Sequence, residues 1–359
     1  MIPVTITFLP PFEEYCKQVK RAFDNNWLTN RGELVKELEQ KLKDYLQVPN
    51  ILLMTNGTLP LQIALKLLAK GGEVITTPFS YVATTAAIVW ENCTPVFVDI
   101  YPEYLTIDET KIEEAITSKT TAILATHVYG NPCNVEAIDA IAKKHNLYVI
   151  YDAAHCFGVK YKGQSIFNYG DVSTCSFHAT KVFHTAEGGA AFCKDEELLH
   201  KINYSHRFGH NGPYDFYGAG INAKMSELQA AMGLANFPYI DEILQGRKKV
   251  VDFYDQHLDF SKISKLRLRE GTEWNYSYYP IIFESEEKLL EVELKLNEND
   301  IYPRRYFYPG LNTINYVKTQ SLPIAELAAS CVMCLPLYFD LEKNDIENIC
   351  RIISGEVNV

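Results

Sequence analysis

The chain has 359 residues, 47% of them hydrophobic and 22% charged, so it can bury more core than one small domain holds, and one large and one smaller domain are expected. Its 34 basic against 45 acidic residues give a net charge of −11, which argues against nucleic acid as a partner and leaves room for a local basic site for a small anion. Apolar runs are too short for a membrane span, the start carries no export signal, and the nine scattered cysteines include only one C-x-x-C, Cys331 to Cys334; a cytoplasmic protein with reduced thiols and no zinc is expected.

In chain order, residues 1–48 read as an N-terminal arm and a helix that follows Gly32 and carries Val35, Leu38, Leu42 and Tyr45 on one face. From about 50 to about 195, β-rich runs alternate with helical stretches. The strands are Ile51 to Met54, Glu73 to Thr77, Pro95 to Asp99, Ala122 to Thr126, Tyr148 to Tyr151, Val172 to Phe177 and Ala190 to Cys193. Between them, Leu61, Ala64, Leu65 and Leu68, and then Val135, Ile138, Ile141 and Ala142, recur at helical spacing. This alternation predicts an α/β fold with a parallel sheet covered by helices on both faces. Met225, Leu228, Met232 and Ala235 predict a further helix, and Pro238 marks a transition. Residues 1–240 are thus expected to form the large domain and residues 241–359 a smaller α+β domain.

Ligands of such sheets collect at the carboxyl ends of the strands, where helix N-termini present N–H groups to anions. The turn Thr55-Asn56-Gly57-Thr58 follows the first strand and precedes a helix with Pro60 in its first turn. It suits a phosphate, and equally an ordinary helix start capped by Asn56 or Thr58. In Tyr151-Asp152-Ala153-Ala154-His155 an apolar strand ends in a carboxylate. A buried Asp152 needs a partner, either a protonated ring nitrogen of a cofactor or a structural ion pair or helix cap. Lys181 follows Ser176-Phe177-His178-Ala179-Thr180 and precedes Glu187-Gly188-Gly189. That confined place between a β-rich run and a Gly-Gly turn suits a lysine nucleophile better than a solvated surface charge.

These motifs, in this order and spacing, together with Leu28-Thr29, Pro95 to Asp99, His127-Val128-Tyr129-Gly130 and Met225 to Ala231, resemble the DegT/StrS-type nucleotide-sugar aminotransferases from about residue 8 to about 355. The resemblance implies an aspartate-aminotransferase-like, fold type I transferase dependent on pyridoxal 5'-phosphate, with pyridoxamine phosphate as the alternate form. It implies Lys181 as the Schiff-base lysine, Asp152 as the partner of the pyridine nitrogen, His155 beside the phenolic oxygen, and Tyr81 stacked on the ring. It further implies a phosphate cradle from the Gly57 and Thr58 N–H groups and the Ser176 hydroxyl, completed by Asn222 from the second subunit of a homodimer. Thr29, Glu187 and Arg304 or Arg305 are the implied substrate contacts, with a surface ion pair the alternative for either arginine. Ile221 and Val182 depart from the commonest family pattern, which puts substrate details in doubt and not the reaction class. The run from Ser176 to Thr185 resembles members that aminate C4 of a nucleotide-linked 4-keto-6-deoxyhexose with L-glutamate as donor, here dTDP-4-keto-6-deoxyglucose for a surface polysaccharide such as O-antigen. The alternatives are a C3 or UDP-sugar aminotransferase or a non-catalytic, cofactor-binding regulator. Lys181 argues against the dehydratase relatives that carry His there, and the absence of G-x-G-x-x-G after the first strand argues against a nicotinamide enzyme.

Overall fold

The computed structural model describes residues 1–355. Its central sheet has seven strands: β1 (Leu52–Met54), β2 (Glu73–Thr76), β3 (Thr94–Phe97), β4 (Thr120–Thr126), β5 (Tyr148–Asp152), β6 (Val172–Ser176) and β7 (Gly189–Phe192), in the order β1-β7-β6-β5-β4-β2-β3. Five run parallel through β6, β5, β4, β2 and β3, and β7 is antiparallel to both β1 and β6. Successive residues serve opposite faces: Leu52, Val74, Leu124 and Ile150 enter one apolar cluster, while Leu53, Ile75, Ile123 and Tyr151 enter another. Both faces are therefore buried, which is why the strands read as unbroken apolar runs.

Eleven α-helices are described: α1 (Phe12–Asp24), α2 (Glu33–Leu46), α3 (Thr58–Leu68), α4 (Val82–Trp90), α5 (Val135–His145), α6 (Glu196–Ser205), α7 (Glu227–Asn236), α8 (Ile240–His257), α9 (Glu286–Glu298), α10 (Pro323–Cys331) and α11 (Lys343–Ser354). Helices α3, α4 and α6 cover one face of the sheet, and α2, α5 and α7 the other. None is long and apolar enough to cross a membrane.

Helix α7 departs from its expected pattern. Met225 precedes the helix, Ser226 caps it in a reciprocal pair with Gln229, and Leu228 is exposed. The buried face is made of Ala230, Ala231, Gly233, Leu234 and Ala235, because small side chains let the backbone approach α1 and α2 closely. The first turn of α7 also supplies a buried carboxylate to its neighbour. Glu227 accepts from the N–H groups of Gly32 at 2.8 Å and Leu34 at 2.7 Å, so it satisfies orphan donors at the start of α2.

A second core contains Tyr279, Phe283, Leu289, Leu335 and Ile349, around an antiparallel sheet of Ile263–Lys265, Tyr279–Phe283 and Val332–Leu335. The chain crosses the boundary expected at residue 240 in two ways. Helix α8 places Ile240 and Ile243 in the sheet core and Val250, Val251 and Tyr254 in the second core. At the other end of the chain, Ile2 and Pro3 pair in parallel with Ile301 and Tyr302.

Replacing Glu227 with Ala strands the buried N–H groups of α2 and is expected to cost about 2 kcal/mol. Urea unfolding checks this as a lowered midpoint at unchanged slope, with Glu227→Gln losing less.

Candidate active site

The register of the central sheet sets the site. Thr126 is paired with Asp152, and Asp152 with Thr174, so the carboxyl ends of β4, β5 and β6 lie side by side. The antiparallel β7 starts at the same edge, because Gly189 pairs with Met54 on one side and Ser176 on the other. Only glycine fits there. A Cβ on Gly189 would stand 2.4 Å from the Asn56 carbonyl oxygen, and one on Gly57 would stand 2.8 Å from Ser176 Cβ. The Glu-Gly-Gly run and the Thr55 to Thr58 turn are thus two halves of one close contact.

Above this edge lies a cleft of about 290 Å³. It brings together Gly57, Thr58, Tyr81, Asp152, His155, Ser176, Lys181, Glu187 and Arg304 of the residues singled out in the sequence. Thr29, Asn222 and Arg305 do not line it. Thr29 is exposed on the loop whose Leu28 carbonyl accepts the Glu227 N–H. Asn222 is exposed, with its Oδ1 accepting from Lys224 at 2.5 Å. Arg305 pairs with Glu286 at 2.5 Å, donates to the Ser330 carbonyl and stacks 3.7 Å from the Tyr308 ring. Of the two adjacent arginines, one faces the cleft and the other is held in an ion pair.

Asp152 is 5% exposed. Its Oδ2 accepts from the Thr84 hydroxyl at 2.6 Å and its Oδ1 from the Ala154 N–H at 3.1 Å. Thr84 Oγ1 also meets Ser80 Oγ at 2.8 Å, which meets Thr126 Oγ1 at 3.0 Å, so a chain of buried hydroxyls ends on the carboxylate. Burial pushes the Asp152 carboxyl above the usual range, opposed by Thr84, the Ala154 N–H and the charge of Lys181. A carboxylate so placed calls for a cation in the cleft.

His155 Nδ1 accepts from the Tyr129 N–H at 3.1 Å, which assigns the proton of the neutral ring to Nε2. Burial, then the charge of Lys181, holds this imidazole well below its ordinary value. Lys181 sits in the β6–β7 connection and donates from Nζ to the Tyr278 hydroxyl at 3.1 Å. Tyr81, at the N-terminus of α4, is 57% exposed and presents its ring to the open cleft. The α3 end departs from expectation in one respect. The N–H groups of Thr58 and Leu59 both donate to Asn56 Oδ1 at 2.9 Å, so Asn56 caps the helix, and an anion must compete with that side chain for the Thr58 donor.

Thr84 and Tyr278 complete the site and were not singled out in the sequence. Thr84 had a usable signal, since it lies three residues after Tyr81 and therefore on the same side of α4. Tyr278 is 97 residues from Lys181 and carries no local mark.

The DegT/DnrJ/EryC1/StrS aminotransferase family model matches residues 12–354. The chain belongs to this family. A Shigella dysenteriae protein named dTDP-4-amino-4,6-dideoxy-D-glucose transaminase is 43% identical over 98% of this chain and 97% of its own. GDP-perosamine synthase of Escherichia coli O157:H7 is 31% identical over 94% and 93%. Among solved structures, DesI, crystallised with its TDP-sugar product, superposes with a TM-score of 0.92 at 30% identity, covering 98% of this chain and 92% of DesI. Spr1654 of Streptococcus pneumoniae, in its PMP-form, gives 0.89 at 27% identity over 98% of each chain; a PLP-form of it is also known. The fold expected from the sequence, α/β of the sugar-aminotransferase type, is the fold of this aminotransferase.

The Asp152 carboxyl titrates higher in the folded than in the unfolded chain, so its ionisation costs stability above the folded value and costs nothing once both states are protonated. Asp152→Asn in cofactor-free protein is expected to raise stability at neutral pH by roughly 1 kcal/mol, with the gain closing as pH falls through the carboxyl range. Urea unfolding at several pH values checks both the sign and the direction of closure.

Proposed function

We propose that this aminotransferase transfers the amino group of L-glutamate to C4 of dTDP-4-keto-6-deoxyglucose, giving dTDP-4-amino-4,6-dideoxyglucose and 2-oxoglutarate. Pyridoxal phosphate is the cofactor. The residues of the cleft fit it: a buried carboxylate without an adjacent cation, a lysine amine in the same cleft, and hydroxyl and helix N-terminal groups grouped as a phosphate would need. When bound, the cofactor supplies an aldehyde that takes up an amine and a ring that accepts the negative charge left by a departing proton.

The chain's own residues divide the remaining work. Asp152 holds a proton on the ring nitrogen by charge, and the hydroxyls of Thr84, Ser80 and Thr126 keep that carboxylate in place. Lys181 anchors the cofactor at rest and, once released, carries a proton away from the donor's α-carbon and returns one. The reverse sequence aminates the keto sugar. Neutral His155, with its proton on Nε2, would donate to the phenolic oxygen, Tyr81 would cover the ring, and Gly57, Thr58 and Ser176 would hold the phosphate. The single observation that carries this assignment is the meeting of Asp152, at the end of β5, and Lys181, in the β6–β7 connection, in one cleft.

The dTDP sugar rests on the 43% identity to the Shigella dysenteriae transaminase. Glu187 and Arg304 line the cleft where a sugar nucleotide enters, and Arg304 is the guanidinium free to meet its diphosphate. Asn222 stands exposed outside its own cleft, on a segment that also exposes Phe208, Tyr214 and Tyr217. That arrangement supports a homodimer in which Asn222 completes the partner's phosphate site and the Thr29 loop meets the partner's substrate. The setting is cytoplasmic synthesis of a surface polysaccharide such as O-antigen. The proposed cofactor contacts precede the division expected near residue 240 and Arg304 follows it, and both sets line one cleft.

Incubation of dTDP-4-keto-6-deoxyglucose with ¹⁵N-glutamate, followed by NMR of the product, is expected to place the label on C4; a label on C3, or none, overturns the assignment. Arg304→Ala is expected to raise KM for the nucleotide sugar about 10-fold with little change in stability. Arg305→Ala is expected to do the reverse, lowering the melting temperature and sparing KM.

A further inference from the structure

Tyr278 reaches the cleft at the end of a segment, Trp274 to Tyr278, whose polar groups are bonded to the walls of the site. Trp274 Nε1 donates to the Tyr129 carbonyl at 2.8 Å, and Ser277 Oγ donates to the same oxygen at 2.9 Å. Asn275, 2% exposed, donates from Nδ2 to the carbonyls of His155 and Phe157, both at 2.8 Å. Tyr129 and His155 are the pair already linked through the imidazole. The segment therefore grips the backbone that orients His155 from both sides.

Its own shape is fixed from behind by Arg247 of α8, which is 5% exposed. Nε donates to the Tyr276 carbonyl at 2.8 Å and Nη2 to the Ser277 carbonyl at 2.7 Å. Among the described residues, no carboxylate lies within ion-pair distance of this guanidinium, and burial pushes it down to about 10. A buried cation without a counter-ion holds its dipolar partners tightly. Tyr276 takes φ +54°, a conformation disfavoured for a large side chain, so the turn into Tyr278 depends on those bonds. Tyr278 then packs its ring 4.7 Å from that of His155 and places its hydroxyl 3.1 Å from Lys181 Nζ.

We propose that Tyr278 is a positioning residue for Lys181: its hydroxyl accepts a hydrogen bond from the lysine amine and keeps that amine at one place in the cleft whenever the amine is not joined to the cofactor. This rests on the assignment of Lys181 made above. A lysine side chain has many rotamers, and an unheld amine would have to find its reacting position anew in each half of the reaction.

Tyr278→Phe removes the hydroxyl and leaves the ring in its place. Cofactor-free wild type and variant are mixed with pyridoxal phosphate and uptake is followed by visible absorbance; reconstituted samples are then assayed for kcat and for KM of glutamate. Uptake rate and kcat are each expected to fall roughly 10-fold, with KM changed less than about twofold and the melting temperature unchanged. A variant with wild-type uptake and kcat overturns the proposal. So does one that loses melting temperature but keeps kcat, because that is the signature of packing alone. Failure of the wild type itself to take up pyridoxal phosphate overturns instead the Lys181 assignment beneath it.

Discussion

Burial of the Asp152 carboxyl at the end of β5 is the constraint around which the rest of this molecule is arranged. A carboxylate removed from water is costly unless dipoles and a counter-charge replace its hydration. Here the dipoles come from the Thr84 hydroxyl and the Ala154 N–H, and the nearest charge is that of Lys181, acting across the cleft. The hydroxyl chain from Thr126 through Ser80 has no chemistry of its own, and its effect is to keep Thr84 aimed at the carboxylate. An Asp so prepared favours a bound cation, which is why Asp152 is proposed as the partner of the cofactor's ring nitrogen. The same low-dielectric surroundings keep His155 neutral, so that it can donate a hydrogen bond without adding a positive charge beside Lys181.

The site exists because β4, β5 and β6 end side by side and β7 starts at the same edge, where backbones touch. Gly189 and the Asn56-Gly57 peptide pack closer than any side chain allows, which pins the Thr55 to Thr58 turn against the lysine-bearing connection. From the other direction, Trp274 to Tyr278 is bonded to Tyr129, His155 and Phe157, so the second core carries part of the active site with it. The residues lining the cleft thus come from regions far apart in sequence, and only the folded chain joins them.

Much of this was legible in the sequence where one local rule governs it. Two-sided burial of the sheet follows from unbroken apolar runs such as Ile51 to Met54. Asp152 and Lys181 drew notice because one ends a strand and the other lies in the loop between a strand and a Gly-Gly turn, and a motif set of fixed order tied them together. What escaped reflects long-range packing. Tyr278 meets Lys181 across 97 residues. Arg304 and Arg305 are chemically identical in sequence, and only the position of Glu286 decides which one is held away from the cleft. The helix expected around Leu228 to Ala235 is present as α7, but its buried face is built largely from alanine and glycine, whose small size matters for helix approach more than their hydrophobicity does. Asn56, weighed as a helix cap, proved to be one, and it occupies the N–H groups of Thr58 and Leu59.

The central claim is that one lysine, Lys181, holds the cofactor above Asp152. It is tested most directly by reducing the cofactor-loaded protein with borohydride, digesting it, and locating the pyridoxyl group by peptide mass spectrometry. The group is predicted on the peptide containing Lys181 and on no other. Its appearance on a different lysine, or an unlabelled Lys181 peptide from fully loaded protein, would contradict the account.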